Sequence, residues 1–182
     1  PQLVRTDTTS DRTINRVSTR QSTRTIGWVD PLAQTFMVDD PGGVFLTSMD
    51  MFFGSKDANI PITLQIREVV NGYPGSVILP FSEKTINPNV VSTSTDGTTP
   101  TTFTFDSPVY IQENTEYCFV LLANSNNYTA YVGRLGEKVL GSDRTISQQP
   151  YAGVMFKSQN GSTYGSAGTF DRGRIFLVRS CY

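Results

Sequence analysis

Apolar and polar positions alternate with a period of two through much of this chain. Ile62, Leu64 and Ile66 alternate with Thr63, Gln65 and Arg67. That spacing predicts a strand with its apolar set on a core face and its polar set in water. Asn71-Gly72-Tyr73-Pro74-Gly75 follows, and its glycines and proline supply the positive and fixed φ of a reversing loop. Further strands are predicted over 33–38, 44–53, 77–86, 101–105, 109–111, 116–123, 128–132, 153–158 and 174–179. Ten short strands in about 150 residues suit an all-β fold, a two-sheet antiparallel β-sandwich of jelly-roll type.

Two stretches break the pattern. Residues 87–100 are dominated by Thr, Ser, Asn, Asp and Gly, and Asn124 to Asn127 forms a polar tip between aromatic-rich strands. Both read as exposed connections. Residues 1–26 are rich in Thr, Ser and Arg and almost free of large apolar side chains, so ordering them alone is not offset by burial. They are read as an extended N-terminal arm or linker, with the sandwich domain spanning 27–182. Arg12, Arg16, Arg20 and Arg24 recur every four residues, yet helix is not expected: Ser and Thr compete for backbone hydrogen bonds, and like charges four apart repel. With Arg5, these arginines are candidates for an assembly arm that docks on an acidic neighbour.

At 182 residues one hydrophobic core suffices, without a metal or disulfide staple. The net charge of −1 conceals an asymmetry, because residues 1–26 carry five Arg against two Asp, leaving a remainder of about −4. Cys118 lies in an apolar run, far in sequence from Cys181, and reads as a reduced, buried thiol. No stretch approaches the roughly 20 apolar residues of a bilayer-spanning helix, and no signal peptide is visible. The first residue is Pro1 rather than Met, as expected of a processed product or a piece of a longer chain. No repeat of a solenoid or propeller is found.

The chain contains no His. That removes the usual general base near neutral pH, His-assisted nucleophiles and His-ligated zinc. A glycosidase needs only two carboxylates, but Asp39, Asp40, Asp50, Asp57, Glu68, Asp96, Asp106, Glu113, Glu116 and Asp143 show no diagnostic spacing and read as solvated loop acids. No enzyme is expected, and no catalytic residue is assigned. Asp39-Asp40 with Gly42-Gly43, and Glu113-Asn114-Glu116, are conceivable calcium donors without a recognisable calcium motif, so no metal or other cofactor is expected. Residues 165–173 are glycine-rich but lack the Lys and strand-helix setting of a phosphate loop. Asn127-Tyr128-Thr129 and Asn160-Gly161-Ser162 match the glycosylation triplet, a pattern common by chance.

Aromatic residues beside polar ones are the more specific resource. Tyr73, Asn124, Asn126, Asn127, Tyr128 and Tyr131 are candidates for glycan recognition, with rings stacking on sugar and amides bonding its hydroxyls. The plainer reading puts Tyr128 and Tyr131 on opposite strand faces, one in the core and one under a neighbouring subunit. Trp28 is expected to cap the sandwich where the arm joins. Nucleic acid is not an expected partner, since the folded part is acidic and lacks interleaved basic and aromatic positions.

The run Gly27-Trp28-Val29-Asp30-Pro31-Leu32-Ala33-Gln34-Thr35-Phe36 resembles the opening of a module in virion structural proteins of tailed phages, T-even-type and cyanobacterial. The resemblance continues through Gly42-Gly43-Val44-Phe45-Leu46-Thr47-Ser48, residues 61–68, residues 71–75, Pro108-Val109-Tyr110, Glu116-Tyr117, residues 149–153 and residues 158–162. Tyr164 and a Gly/Ser run then stand where such families place a Trp. The resemblance implies a structural protein of the tail, baseplate or fibre apparatus, assembled in the host cytoplasm and carried in the virion. Its implied partners are other virion proteins and copies of itself, with a trimer as first expectation, and no membrane. The alternatives are a lectin-like domain binding host-surface glycan and a capsid decoration protein using its arm. A polysaccharide depolymerase is disfavoured by the missing His, the small size and the absence of a repeat.

Overall fold

The computed structural model describes residues 31–132, 136, 138, 142–147, 153–157 and 165–166. These residues are all-β, with no helix among them. In chain order the strands are β1 (Leu32–Met37), β2 (Val44–Ser55), β3 (Ile62–Val70), β4 (Tyr73–Ile86), β5 (Pro100–Ile111), β6 (Glu116–Ala123), β7 (Thr129–Ala130), β8 (Met155–Lys157) and β9 (Gly165–Ser166). They form two antiparallel sheets, one ordered β4-β3-β6-β1-β8-β9 and the other β5-β2-β7.

Alternation decides which side chains meet between the sheets. Leu46, Met49, Met51 and Phe53 of β2 and Phe103, Phe105, Val109 and Ile111 of β5 face Phe36, Ile62, Leu64, Ile66, Phe119 and Leu121 of the larger sheet in one apolar cluster. Each large side chain removed from water here contributes about 1.5–3 kcal/mol. The strands thus run between two poles. The near pole holds the β1–β2, β3–β4 and β5–β6 connections, and the far pole holds those of β2–β3, β4–β5 and β6–β7.

Several expectations need correction. The polar face of β3 does not lie in water: Thr63, Gln65 and Arg67 are all buried. They form part of the large sheet's outer face, beside a second apolar cluster of Ala33, Cys118, Val120, Leu122 and Phe156. Burial is tolerated because the polar groups satisfy one another. Thr63 and Thr85 share a hydroxyl bond of 2.8 Å, Gln65 donates to Glu83, and Arg67 Nη2 donates to Gln65 Oε1 at 2.6 Å.

The reversing loop after β3 is only Asn71 and Gly72, both at positive φ, and Tyr73, Pro74 and Gly75 already belong to β4. The two segments predicted at 101–105 and 109–111 are one strand, β5, whose register against β2 shifts between Leu46 and Ser48. Pro108, which lacks an N–H, lies in the stretch that takes up the shift. Residues 87–100 are no simple exposed connection. Val91 sits in the core, and Lys56 Nζ donates to the carbonyls of Pro88 and Val91 at 2.8 and 2.6 Å. The strand expected over 128–132 contracts to Thr129–Ala130. The strand expected over 174–179 lies outside the described residues, as do the whole arm and Trp28.

Candidate functional site

The far pole gathers most of the residues considered for glycan binding. Asn124, Asn126, Asn127 and Tyr128 occupy the β6–β7 connection, and Tyr131 follows β7. Tyr73 is not among them: it opens β4, paired with Val70 across the β3–β4 turn. Its ring lies 5.7 Å from that of Phe156.

Most of the far-pole polar groups are already engaged. Asp57 Oδ1 accepts the backbone N–H groups of Asn59 and Ile60 at 2.8 and 2.9 Å. Its Oδ2 accepts the Ser125 hydroxyl at 2.5 Å and the Asn127 side-chain amide at 2.8 Å. These donors, Ser125 foremost, hold the Asp57 carboxyl well below the usual carboxylate range. An aspartate so placed stays ionised at neutral pH and ties two loops together.

Tyr128 donates to the Ile60 carbonyl at 2.5 Å while its ring packs edge-on against Phe53. Burial, followed by the charge of Asp57, pushes its phenol upward. Tyr131 donates to the Ser94 carbonyl at 2.8 Å and covers Gly97 and Gly54 of its own chain. Asn124 and Asn126 remain exposed at the tip.

Four of the other acids have local partners. Asp50 accepts from Thr102, Asp96 from the Thr98 N–H and hydroxyl, Asp106 from Lys84, and Asp143 from Lys138. The Thr98 bonds lower the Asp96 carboxyl. Asp39-Asp40 and Glu113-Asn114-Glu116 do converge at the near pole, where the Gly42 N–H donates to Glu113 Oε2 at 2.9 Å. Glu113 is thereby committed to an N–H donor, and among the described residues no three His, Cys, Asp or Glu gather as a metal site. Every buried side-chain polar atom among the described residues has a partner.

Reading the sequence missed an apolar surface on the β3–β4 hairpin. Val70, Tyr73, Val77, Ile78 and Phe81 are all exposed there. The pairing of β3 with β4 slips between Gln65 and Arg67 and again before Val69, so β4 carries surplus residues. Ser82 closes the bulge by donating to the carbonyls of Ile66 and Leu79 at 2.9 and 2.8 Å. Phe81 is left at φ 62 with 69% of its surface exposed. A bulky residue there is strained by about 1–2 kcal/mol. The only sequence signal was the run Val77-Ile78-Leu79-Pro80-Phe81, which reads equally well as a buried strand.

The chain matches no protein-family model, and no curated protein or solved structure shows significant similarity to it.

Proposed function

We propose that this chain is a non-catalytic structural protein of a tailed-phage virion, belonging to the tail, baseplate or fibre apparatus and working by protein–protein assembly. The sequence resemblance supplies the address. The observation that carries the mechanism is the exposed apolar β3–β4 hairpin on the edge of the larger sheet, with Phe81 held outward in a strained conformation. Exposed apolar side chains on an edge strand favour contact with another chain, and strain persists where the surrounding structure enforces it.

In the same reading the fold is a jelly roll. Three nested antiparallel pairings support this: β1 with β6, β2 with β5 and β3 with β4, as in a long hairpin rolled upon itself. A closed homotrimer is the assembly proposed. The glycan-binding alternative draws less support, because Asn127, Tyr128 and Tyr131 spend their polar groups within the chain.

The test is the mass of the full chain by light scattering over a range of concentrations, beside Phe81→Asn and Val77→Ser. A defined oligomer that weakens in both variants supports assembly through the hairpin. A monomer at every concentration overturns it. Detection of the chain in purified particles, with labelled antibody imaging, tests the virion address and separates tail from capsid.

A further inference from the structure

A second surface lies at the near pole, on the outer face of the smaller sheet. Phe45 and Tyr110 are directly opposed on β2 and β5, their ring centroids 5.4 Å apart. They are 59% and 48% exposed, unlike the buried Val44, Leu46, Val109 and Ile111 that flank them. The turn beside them is built around Gly42. Tyr110 donates its hydroxyl to the Gly42 carbonyl at 2.9 Å, and Glu113 accepts the Gly42 N–H. Asp39, Asp40 and Glu116 belong to the same pole.

The basic residues within 31–132 are placed elsewhere. Lys56 is bound at the far pole, Lys84 pairs with Asp106, and Arg67 bonds Gln65 beneath the outer face of the larger sheet. Exposed rings beside carboxylates suit one cation above others. Guanidinium stacks on an aromatic face and donates in a fork to a carboxylate, whereas ammonium is a compact, strongly hydrated charge.

The chain carries the complement. Residues 31–132 contain ten Asp and Glu against three Lys and Arg, whereas residues 1–26 contain five Arg against two Asp. β1 begins at Leu32 on the far pole, about 20 Å of strand from the near pole, a span that the chain between Leu32 and Arg24, Arg20 or Arg16 is long enough to cover, and the assembly reading assigns the reach to a neighbouring copy. We propose that residues 1–26 of a second copy dock on this pole, with an arginine lying on Phe45 and Tyr110 in the negative field of the acidic residues around them. The contact joins the arm of one copy to the near pole of another, and closes either by reciprocal exchange between two copies or as a ring. This rests on the assembly reading above and adds to it the segment and its receptor.

The test uses the full chain with a benzoylphenylalanine photo-crosslinker in place of Gln21, prepared as an equal mixture of unlabelled and ¹⁵N-labelled protein. The expected result is mixed-isotope crosslinks joining residue 21 to peptides containing residues 39–45 or 107–116. Phe45→Ser should reduce their yield roughly two- to fivefold, and Phe45→Tyr should retain it. Crosslinks confined to single-isotope species mean that the chain's own arm is bound, which overturns the proposal. An oligomer whose residue 21 crosslinks elsewhere overturns it while leaving assembly intact. A monomer by light scattering overturns both.

Discussion

Asp57 and Asn127 stand 70 positions apart in sequence and meet through a 2.8 Å hydrogen bond from amide to carboxylate. The contact joins the β2–β3 connection to the β6–β7 connection, both of which pass from one sheet to the other. With Ser125, Asn59 and Ile60 as further donors, Asp57 organises the far pole. A residue read from sequence as a sugar-binding candidate is thus part of a loop lock.

This lock gives an acid dependence of known sign. The folded carboxyl of Asp57 lies below its ordinary value. Its stabilising effect is therefore present above the unfolded value, near pH 4, and is lost as pH falls from there toward the folded value. Melting curves from pH 7 to pH 2 should show a steeper acid loss in the parent than in Asp57→Asn. Parallel curves would deny Asp57 this part.

Cys118 supplies the alkaline counterpart. Burial pushes its thiol up to about 12, and its Sγ donates to the Arg67 carbonyl at 3.6 Å. The native state keeps a proton that the unfolded thiol releases above about pH 8.5, so stability falls as pH rises through that window. Cys118→Ala should flatten the decline relative to the parent. Alkylation at pH 8, read by mass spectrometry on the peptide containing residue 118, should require unfolding.

Gly42 and Gly43 share positive φ but not surroundings. Nothing lies within 4 Å of a Cβ placed on Gly42, whereas one on Gly43 would enter the Ile111 carbonyl and crowd the Tyr110 hydroxyl. Gly42→Ala should cost about 1–2 kcal/mol, the conformational term alone. Gly43→Ala should cost more, by about another 1–3 kcal/mol. Urea unfolding of the two variants measures the difference.

At Phe81, stability and assembly should move in opposite directions. Phe81→Asn places a residue tolerant of positive φ at that position and should stabilise the isolated chain by roughly 1 kcal/mol. The same change removes the most exposed ring of the hairpin and should lower the oligomeric mass. Denaturation of dilute protein and light scattering of concentrated protein provide the two readings.

Tyr128→Phe keeps the ring against Phe53 and removes the bond to Ile60, for an expected loss of about 0.5–1.5 kcal/mol. Asn124→Ala and Asn126→Ala alter exposed positions and should stay within about 0.5 kcal/mol of the parent. Thermal melts of the three variants check both statements.

Much of the sheet structure was legible because alternation is a local property. Ile62, Leu64 and Ile66 had to share a face, and they share it with the core. The fate of Thr63, Gln65 and Arg67 was not legible, since a polar side chain has the same spacing whether it meets water or Thr85, Glu83 and its own neighbours. The β4 bulge was hidden for a related reason. A strand's register is set by its partner, and the slip that exposes Phe81 exists only in the pairing with β3.

Of the candidate site, residue types were readable but groupings were not. Sequence alone determined the all-β class, most strand positions and the charge contrast between residues 1–26 and the rest of the chain, because these depend on local spacing and composition. Tertiary structure decided that Asn127 serves Asp57, that Tyr73 meets Phe156 while Tyr128 meets Phe53, and that Phe45 and Tyr110 share an exposed face beside Glu113. Each of those facts requires segments distant in sequence to be brought together, and only the burial of two sheets against one another does so.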